Sequence, residues 1–199
     1  MNNWKEAALD ALHRSIQPVP QELNEIDWKG GLSSKTDRLA QHICAFTNLS
    51  GGGFLVFGIS DDAEFEELDK ATIEETTKKL GNIAKNNLAW SIQLEHAVLE
   101  YEGHALLFIR IPEQQNKPVY LRGRDIYEAY IRSAGHTVKM SREQVHEMLA
   151  LSHGLTFEKR VARSAVMVET VLELLGYEKI YELIDRRTPQ DKSRIMDKM

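Results

Sequence analysis

The stretch Ala45-Phe46-Thr47-Asn48-Leu49-Ser50-Gly51-Gly52-Gly53-Phe54-Leu55-Val56-Phe57-Gly58-Ile59-Ser60-Asp61-Asp62 decides the fold. It reads as the end of an amphipathic helix, a glycine turn, a buried strand and two acids at the strand's carboxyl end. Leu39, Ile43 and Phe46 recur at helical spacing, so a helix over residues 35–47 turns one face inward. Asn48 and the three glycines stop it, because glycine accepts the positive φ that a sharp reversal needs. Residues 54–57 are a short apolar run of strand formers, which suits a central strand. Gly58 at its end predicts a bulge or a close backbone approach. Asp61 and Asp62 leave the core where chemistry can be mounted on a rigid scaffold.

Upstream, Trp4, Ala8, Leu9, Leu12 and Ile16 outline an amphipathic helix ended by Pro18 and Pro20. Ile26 and Trp28 alternate among acids, so residues 22–28 read as a short strand closed by Gly30-Gly31, and Ser33 or Ser34 can cap the next helix. Downstream, residues 63–69 form an acidic loop and 72–86 a helix with Ile73, Thr76, Leu80 and Ile83 inward. Residues 92–101 and 104–111 form a hairpin turning at Glu102-Gly103. Residues 126–132 read as a further strand. Ser141 and Gln144 make a capping box for a helix whose buried side is Val145, Met148, Leu149 and Leu151. After His153-Gly154 the chain becomes helical and strand-poor, with helices expected over 166–175, over 179–185 and from Thr188-Pro189. That last helix reaches Met199 without a cap, which reads as an amino-terminal piece of a longer protein with its following domain missing. Helices and hairpins without strict βαβ alternation indicate an α+β class. The expected organisation is a helix and linker over 1–20, a domain over 21–153 and a helical extension over 154–199.

The 199 residues are 42% hydrophobic and 28% charged, with a formal net charge of −5. That composition is globular, and the global charge excludes a wholesale basic coat without excluding a local basic patch. No apolar run is long enough to span a bilayer, and the amino terminus lacks a signal-peptide pattern. The single Cys44 rules out an intramolecular disulfide and a cysteine-rich zinc site, and reads as an ordinary buried thiol. A cytoplasmic location is expected. The histidines show no His-x-x-x-His spacing, and His136 reads as a loop residue.

Basic residues cluster late in the domain at Lys117, Arg122, Arg124, Arg132, Lys139 and Arg142, with Tyr120, Tyr127 and Tyr130 interleaved. Arginine and lysine neutralise phosphates and tyrosines stack on unpaired bases, which makes this the expected nucleic-acid surface. Part of the tyrosines fit a strand-pairing role as well. The Gly51-Gly52-Gly53 turn can present backbone N–H groups to a phosphate, or simply reverse the chain, the favoured role. It lacks the Gly-Lys-Ser/Thr of a P-loop and precedes its strand, which disfavours ATP.

Glu22-Leu-Asn-Glu-Ile-Asp27-Trp28-Lys29, together with Ile43-Cys-Ala-Phe-Thr-Asn48-Leu-Ser-Gly-Gly-Gly-Phe-Leu-Val-Phe-Gly58-Ile-Ser-Asp61-Asp62, resembles the Schlafen-type AlbA-like domain. The resemblance continues through Lys117-Pro-Val-Tyr and Tyr130-Ile-Arg132-Ser-Ala-Gly135-His-Thr, about two-thirds of the chain. It implies an AlbA-like mixed sheet with flanking helices. It also implies a nucleic-acid-binding module, for RNA or DNA, of the kind found in bacterial transcriptional regulators, RecG-like helicase relatives and divergent ATP-binding proteins. In nuclease-active relatives three acids form a metal-dependent RNA-cleaving site. By resemblance Glu22, Asp27 and Asp61 would hold Mg²⁺ or Mn²⁺ and, with Lys29, act as a ribonuclease. Asp27 departs from the usual glutamate by one methylene, and Leu49-Ser50 from the commoner Thr-Gly. Three converging carboxylates need a cation among them, and an oxygen-rich set suits a hard divalent ion. The ordinary alternative is a set of solvent-facing acids on an edge strand and in a turn. A non-catalytic dimerisation or protein-interaction module, as a homodimer, is the competing class.

Overall fold

The computed structural model describes residues 4–152 and Lys179. The helices expected beyond residue 153 lie outside the described residues, except for Lys179, which is helical. The described elements run α1 (Trp4–Ile16), β1 (Ile26–Lys29), α2 (Thr36–Asn48), β2 (Gly53–Phe57), α3 (Lys70–Asn86), β3 (Glu95–Tyr101), β4 (His104–Ile111), β5 (Tyr130–Ser133), β6 (His136–Lys139) and α4 (Arg142–Ser152). This is a mixed α+β architecture: a four-stranded sheet in the order β1-β2-β4-β3, and a separate β5-β6 hairpin. β2 runs parallel to β1 and antiparallel to β4. No helix among the described residues is long and apolar enough to cross a membrane.

Strand alternation divides the core into two layers. Leu55, Phe57, Leu107 and Ile109 pack under α2 and α3 with Leu39, Ile43, Phe46 and Leu80. Ile26, Trp28, Val56, Leu106 and Phe108 face α1, where Ala8, Leu12 and Ile16 are buried. On the α2 side, edge strand β1 therefore presents Asp27 and Lys29 in register with Leu55 and Phe57. Charge sits where the neighbouring strand places core.

The turns follow from backbone chemistry. Gly51 and Gly52 are left-handed (φ 81° and 76°), and a Cβ on Gly52 would lie 2.2 Å from the Ile111 carbonyl oxygen. Gly58 (φ 99°) is the expected irregularity: its N–H and that of Ile59 both donate to the Lys29 carbonyl. Glu102-Gly103 and Ala134-Gly135 take positive φ at both turn residues, as tight hairpins require. Ser141 and Gln144 form the reciprocal capping box, with bonds of 3.2 and 2.9 Å.

Several expectations are corrected. The first strand is only Ile26–Lys29, because Asn24 and Glu25 form a turn, so Glu22 lies on the approach to the strand. The expected strand over 126–132 starts only at Tyr130, since residues 126–127 form a turn, and His136 opens a strand instead of lying in a loop. Lys35 occupies the cap position of α2 without a side-chain bond, while Ser33 Oγ accepts the Lys35 N–H at 3.2 Å. Leu151, expected inward on α4, is 68% exposed.

Candidate functional site

Parallel pairing of β1 and β2 places both carboxyl ends on one side of the sheet, where ligands bind in open α/β sheets. A cleft of about 1300 Å³ opens there. Its walls come from the approach to β1 (Glu22), the end of β1 (Lys29), the first turn of α2 (Lys35–Leu39), the turn after β2 (Asp61) and the β5-β6 hairpin (Arg132, His136).

Beneath the cleft, behind Lys29 and His42, Asp27 is fully buried. Lys29 Nζ donates to its Oδ1 at 2.8 Å, while His42 Nδ1 lies 3.0 Å and Arg132 Nη1 3.5 Å from Oδ2. Burial alone would raise this carboxyl. The hydrogen bond from His42 and the charge and hydrogen bond of Lys29 outweigh burial and hold it well below the usual range. Glu22 responds in the opposite sense: burial, then the Asp27 charge and hydrogen bond, push it up to about 7 against Lys29 and Arg132. The two acids form a pair in which the deep one keeps its charge and the outer one readily holds a proton.

Arg132 ties this pair to the hairpin. It is 3% exposed, and Nη2 donates to the carbonyls of Leu23 and Ile26, both at 3.3 Å. Nη1 also reaches Thr137 Oγ1 at 3.2 Å, and the guanidinium lies 4.9 Å from the Phe46 ring centroid. Its Nε is buried without a partner among the described residues. Burial lowers its pKa against the pull of Asp27 and Glu22. Arg132 was expected on an exposed basic face; it is instead an internal tether, because β5 turns it under the hairpin.

His42 lies on the inward face of α2 between Leu39 and Ile43. Both Asp27 and Thr137 Oγ1 (3.1 Å) meet its Nδ1, so the three do not form a nucleophile-base-acid relay, which needs both ring nitrogens. An ionised Asp27 orients the Nδ1–H, and among the described residues no hydrogen bond is made by Nε2 of this cleft-lining histidine. His42 carries no ligand spacing, but its place in the inward helical period was a readable signal.

The structure brings Glu22, Asp27 and Lys29 together. Asp61 is exposed and lines the same cleft without an ion pair among the described residues. Among those residues no group of three or more His, Cys, Asp or Glu could hold a metal ion. Asp27 is already matched by Lys29, His42 and Arg132, and Glu22 lies 3.7–3.8 Å from Arg132, Lys29 and His136. A donor set so occupied by cations does not fit Mg²⁺ or Mn²⁺, which would have to displace them.

The remaining expected contacts are dispersed. Lys117 donates to Glu113 and to the Asn48 carbonyl. Arg122 folds back on the carbonyls of Leu88 and Lys85 beside the end of α3. Lys139 is paired with Glu128, and Arg142 lies over the Tyr127 ring. Only Arg124, 4.0 Å from Asp37, approaches the cleft. The glycine turn sits at the opposite end of β2, where the Gly51 N–H donates to Glu113 Oε2 at 2.8 Å. That N–H is therefore already taken. Two further cleft cations, outside any motif, are Lys35 and Arg38, both exposed and without an ion pair among the described residues. Cys44 is buried as expected, its thiol pushed up to about 12 by burial.

Among curated proteins, none matches the sequence. The crystal structure of the DIP2311 protein from Corynebacterium diphtheriae is similar at 15% identity and a TM-score of 0.47, over 76% of this chain and 29% of that one. This chain thus spans under a third of that protein's length. The solution structure of the N-terminal domain of a RecG-related protein from Nitrosomonas europaea is similar at 20% identity and a TM-score of 0.46, over 68% of this chain and 91% of that one. The Schlafen, AlbA_2 profile matches residues 22–141, and the chain belongs to that family.

Proposed function

We propose that the cleft binds the phosphate backbone of single-stranded nucleic acid. One observation carries this reading: Lys29, Lys35 and Arg38 face the same cleft as the amino terminus of α2, in a chain whose net charge is −5. α2 has no side-chain cap, so its first N–H groups and the positive end of its dipole remain available to an anion. Family membership supports the same reading.

A second reading, phosphodiester cleavage, is favoured by Glu22, Lys29, His42 and Asp61 lining that cleft together. Glu22, pushed up to about 7, is suited to proton transfer near neutrality.

Fluorescence anisotropy with labelled single-stranded RNA and DNA between 50 and 200 mM salt tests the binding reading. Reversing Lys35 and Arg38 to Glu together should weaken binding at least ~10-fold. Loss of two single-strand phosphate contacts should reduce the salt slope by about 1.4. Reversing Arg122, which is folded onto the carbonyls of Leu88 and Lys85, should matter less. Unchanged affinity in the double reversal refutes the cleft, and a gel of the same RNA reads cleavage directly.

A further inference from the structure

We propose that Lys29, His136 and Arg132 form a subsite for one phosphate group, and that the Glu22 carboxylate stands in its place when none is bound. The inference rests on the nucleic-acid reading only for the source of the phosphate.

Three donors from two separate parts of the fold converge on one carboxyl group. Glu22 Oε1 lies 3.8 Å from Lys29 Nζ; its Oε2 lies 3.7 Å from Arg132 Nη2 and 3.8 Å from His136 Nδ1. Charge-assisted hydrogen bonds run at about 2.7–2.9 Å, so none of the three closes on the carboxylate. A carboxylate can accept three donors, as Asp27 does, but Glu22 sits at the edge of reach of all three. A tetrahedral anion, with three or four oxygens and longer reach, can meet all three at once.

Donor capacity is also left over. Arg132 Nε is buried without a partner among the described residues, in a side chain only 1% exposed. Such an orphan is expensive to keep unless the guanidinium serves a ligand or is held by an anion. Glu22 is 29% exposed and lines the cleft, so an anion taking its place reaches Arg132 without opening the core. Asp27 beneath opposes a second negative charge here, as the rise of Glu22 shows, and Lys29, His42 and Arg132 around it offset part of that repulsion. The one anionic group an entering phosphate has to displace is Glu22.

The test is calorimetric titration of the full chain with inorganic phosphate. Glu22→Gln keeps the shape and removes the charge, and should tighten phosphate binding ~10-fold, the effect of one repulsive charge at about 4 Å in a partly screened site. In that background His136→Ala and Lys29→Met should each weaken it at least ~3-fold. His136 is 77% exposed, so its variant tests the subsite even if Lys29→Met fails to fold. Phosphate binding that Glu22→Gln leaves unchanged, or that both donor variants leave unchanged, overturns the subsite. A parallel titration uses one oligonucleotide with a 5′-phosphate or a 5′-hydroxyl. If only the phosphorylated form gains from Glu22→Gln, the subsite takes a chain end; if both gain, it takes backbone phosphate. If inorganic phosphate behaves as expected but neither oligonucleotide binds, the subsite stands and the nucleic-acid reading falls. Oligonucleotide binding indifferent to all three variants has the reverse meaning.

Discussion

Replacing Arg132 by Met removes the charge and the fork while keeping an unbranched stem against Phe46, 4.9 Å from the present guanidinium. Breaking a buried ion pair commonly costs about 3–5 kcal/mol, because it strands the surviving charge. Here Asp27 keeps Lys29 at 2.8 Å and His42 at 3.0 Å, so it is not stranded. What is lost outright is the pair of bonds to the carbonyls of Leu23 and Ile26 and the bond to Thr137 Oγ1. Relief of the unpartnered Nε offsets part of that loss. The expected destabilisation is therefore about 2–3 kcal/mol, below the usual range for a broken buried pair. Urea unfolding at pH 7 with an unchanged m-value would measure it. Arg132→Lys keeps the charge but not the two-nitrogen fork and should recover less than half. Adding Asp27→Asn to Arg132→Met should cost less than the separate losses combined, since the pair is coupled. A loss under about 0.5 kcal/mol, or full rescue by lysine, would refute the tether and leave Arg132 as a charge without a structural role.

Two further outcomes follow from the same network. Glu22 is pushed up to about 7, so the folded state holds its proton more tightly than the unfolded one. Its contribution is complete below about 4.5 and is lost as pH rises through 7, while Asp27 stays ionised over that window. Wild type should lose about 1–2 kcal/mol between pH 5 and pH 8, discounted for a carboxyl that is 29% exposed, and Glu22→Gln should lose less; equal urea midpoints shifts would count against the carboxyl pair. Asn48, 2% exposed, donates to the carbonyls of Val119 and Tyr130 and accepts the Val119 N–H at 2.7 Å. Asn48→Ala should cost about 2–4 kcal/mol by orphaning these groups and speed hydrogen exchange at Val119 selectively; unaltered protection there would contradict it.

Elements with a strong local period were legible. The range of α1, the central strand with its glycine turn, and the capping box of α4 all follow from spacing and turn chemistry. What failed was governed by distant partners. β5 and β6 are four-residue strands whose pairing is set by the Ala134-Gly135 turn, too short for alternation to reveal. The basic stretch looked like one surface because its residues are close in sequence. In three dimensions Arg132 points under the hairpin, Arg122 meets α3, and Lys117 meets Glu113. Glu22, Asp27, Lys29 and Asp61 were named through resemblance as a metal-dependent catalytic site; Glu22, Lys29 and Asp61 line the cleft, and Asp27 is buried beneath it. That Asp27 would be enclosed by Lys29, His42 and Arg132 could not be read, since those contacts join residues up to 105 positions apart.

Topology explains why the site has its charge. A parallel β1-β2 pair cannot be closed by a tight turn, so the chain must cross over through α2. The crossover starts at the carboxyl end of β1, which sets the amino terminus of α2 beside the ends of both strands. A helix amino terminus carries about half a positive charge; no side chain caps it, and Lys35 and Arg38 reinforce it against the single acid Asp37 in the same turn. The glycine turn, more conspicuous in the sequence, closes the same crossover at its other end and so faces away from the cleft. Gly52 and Gly53 are needed because the Ile111 carbonyl and the Phe46 ring lie where side chains would otherwise stand, and Gly51 for its positive φ. The stretch that decides the fold is thus not the stretch that meets a ligand. It fixes the strand against which Asp27, Lys29 and the first turn of α2 are brought into one cleft.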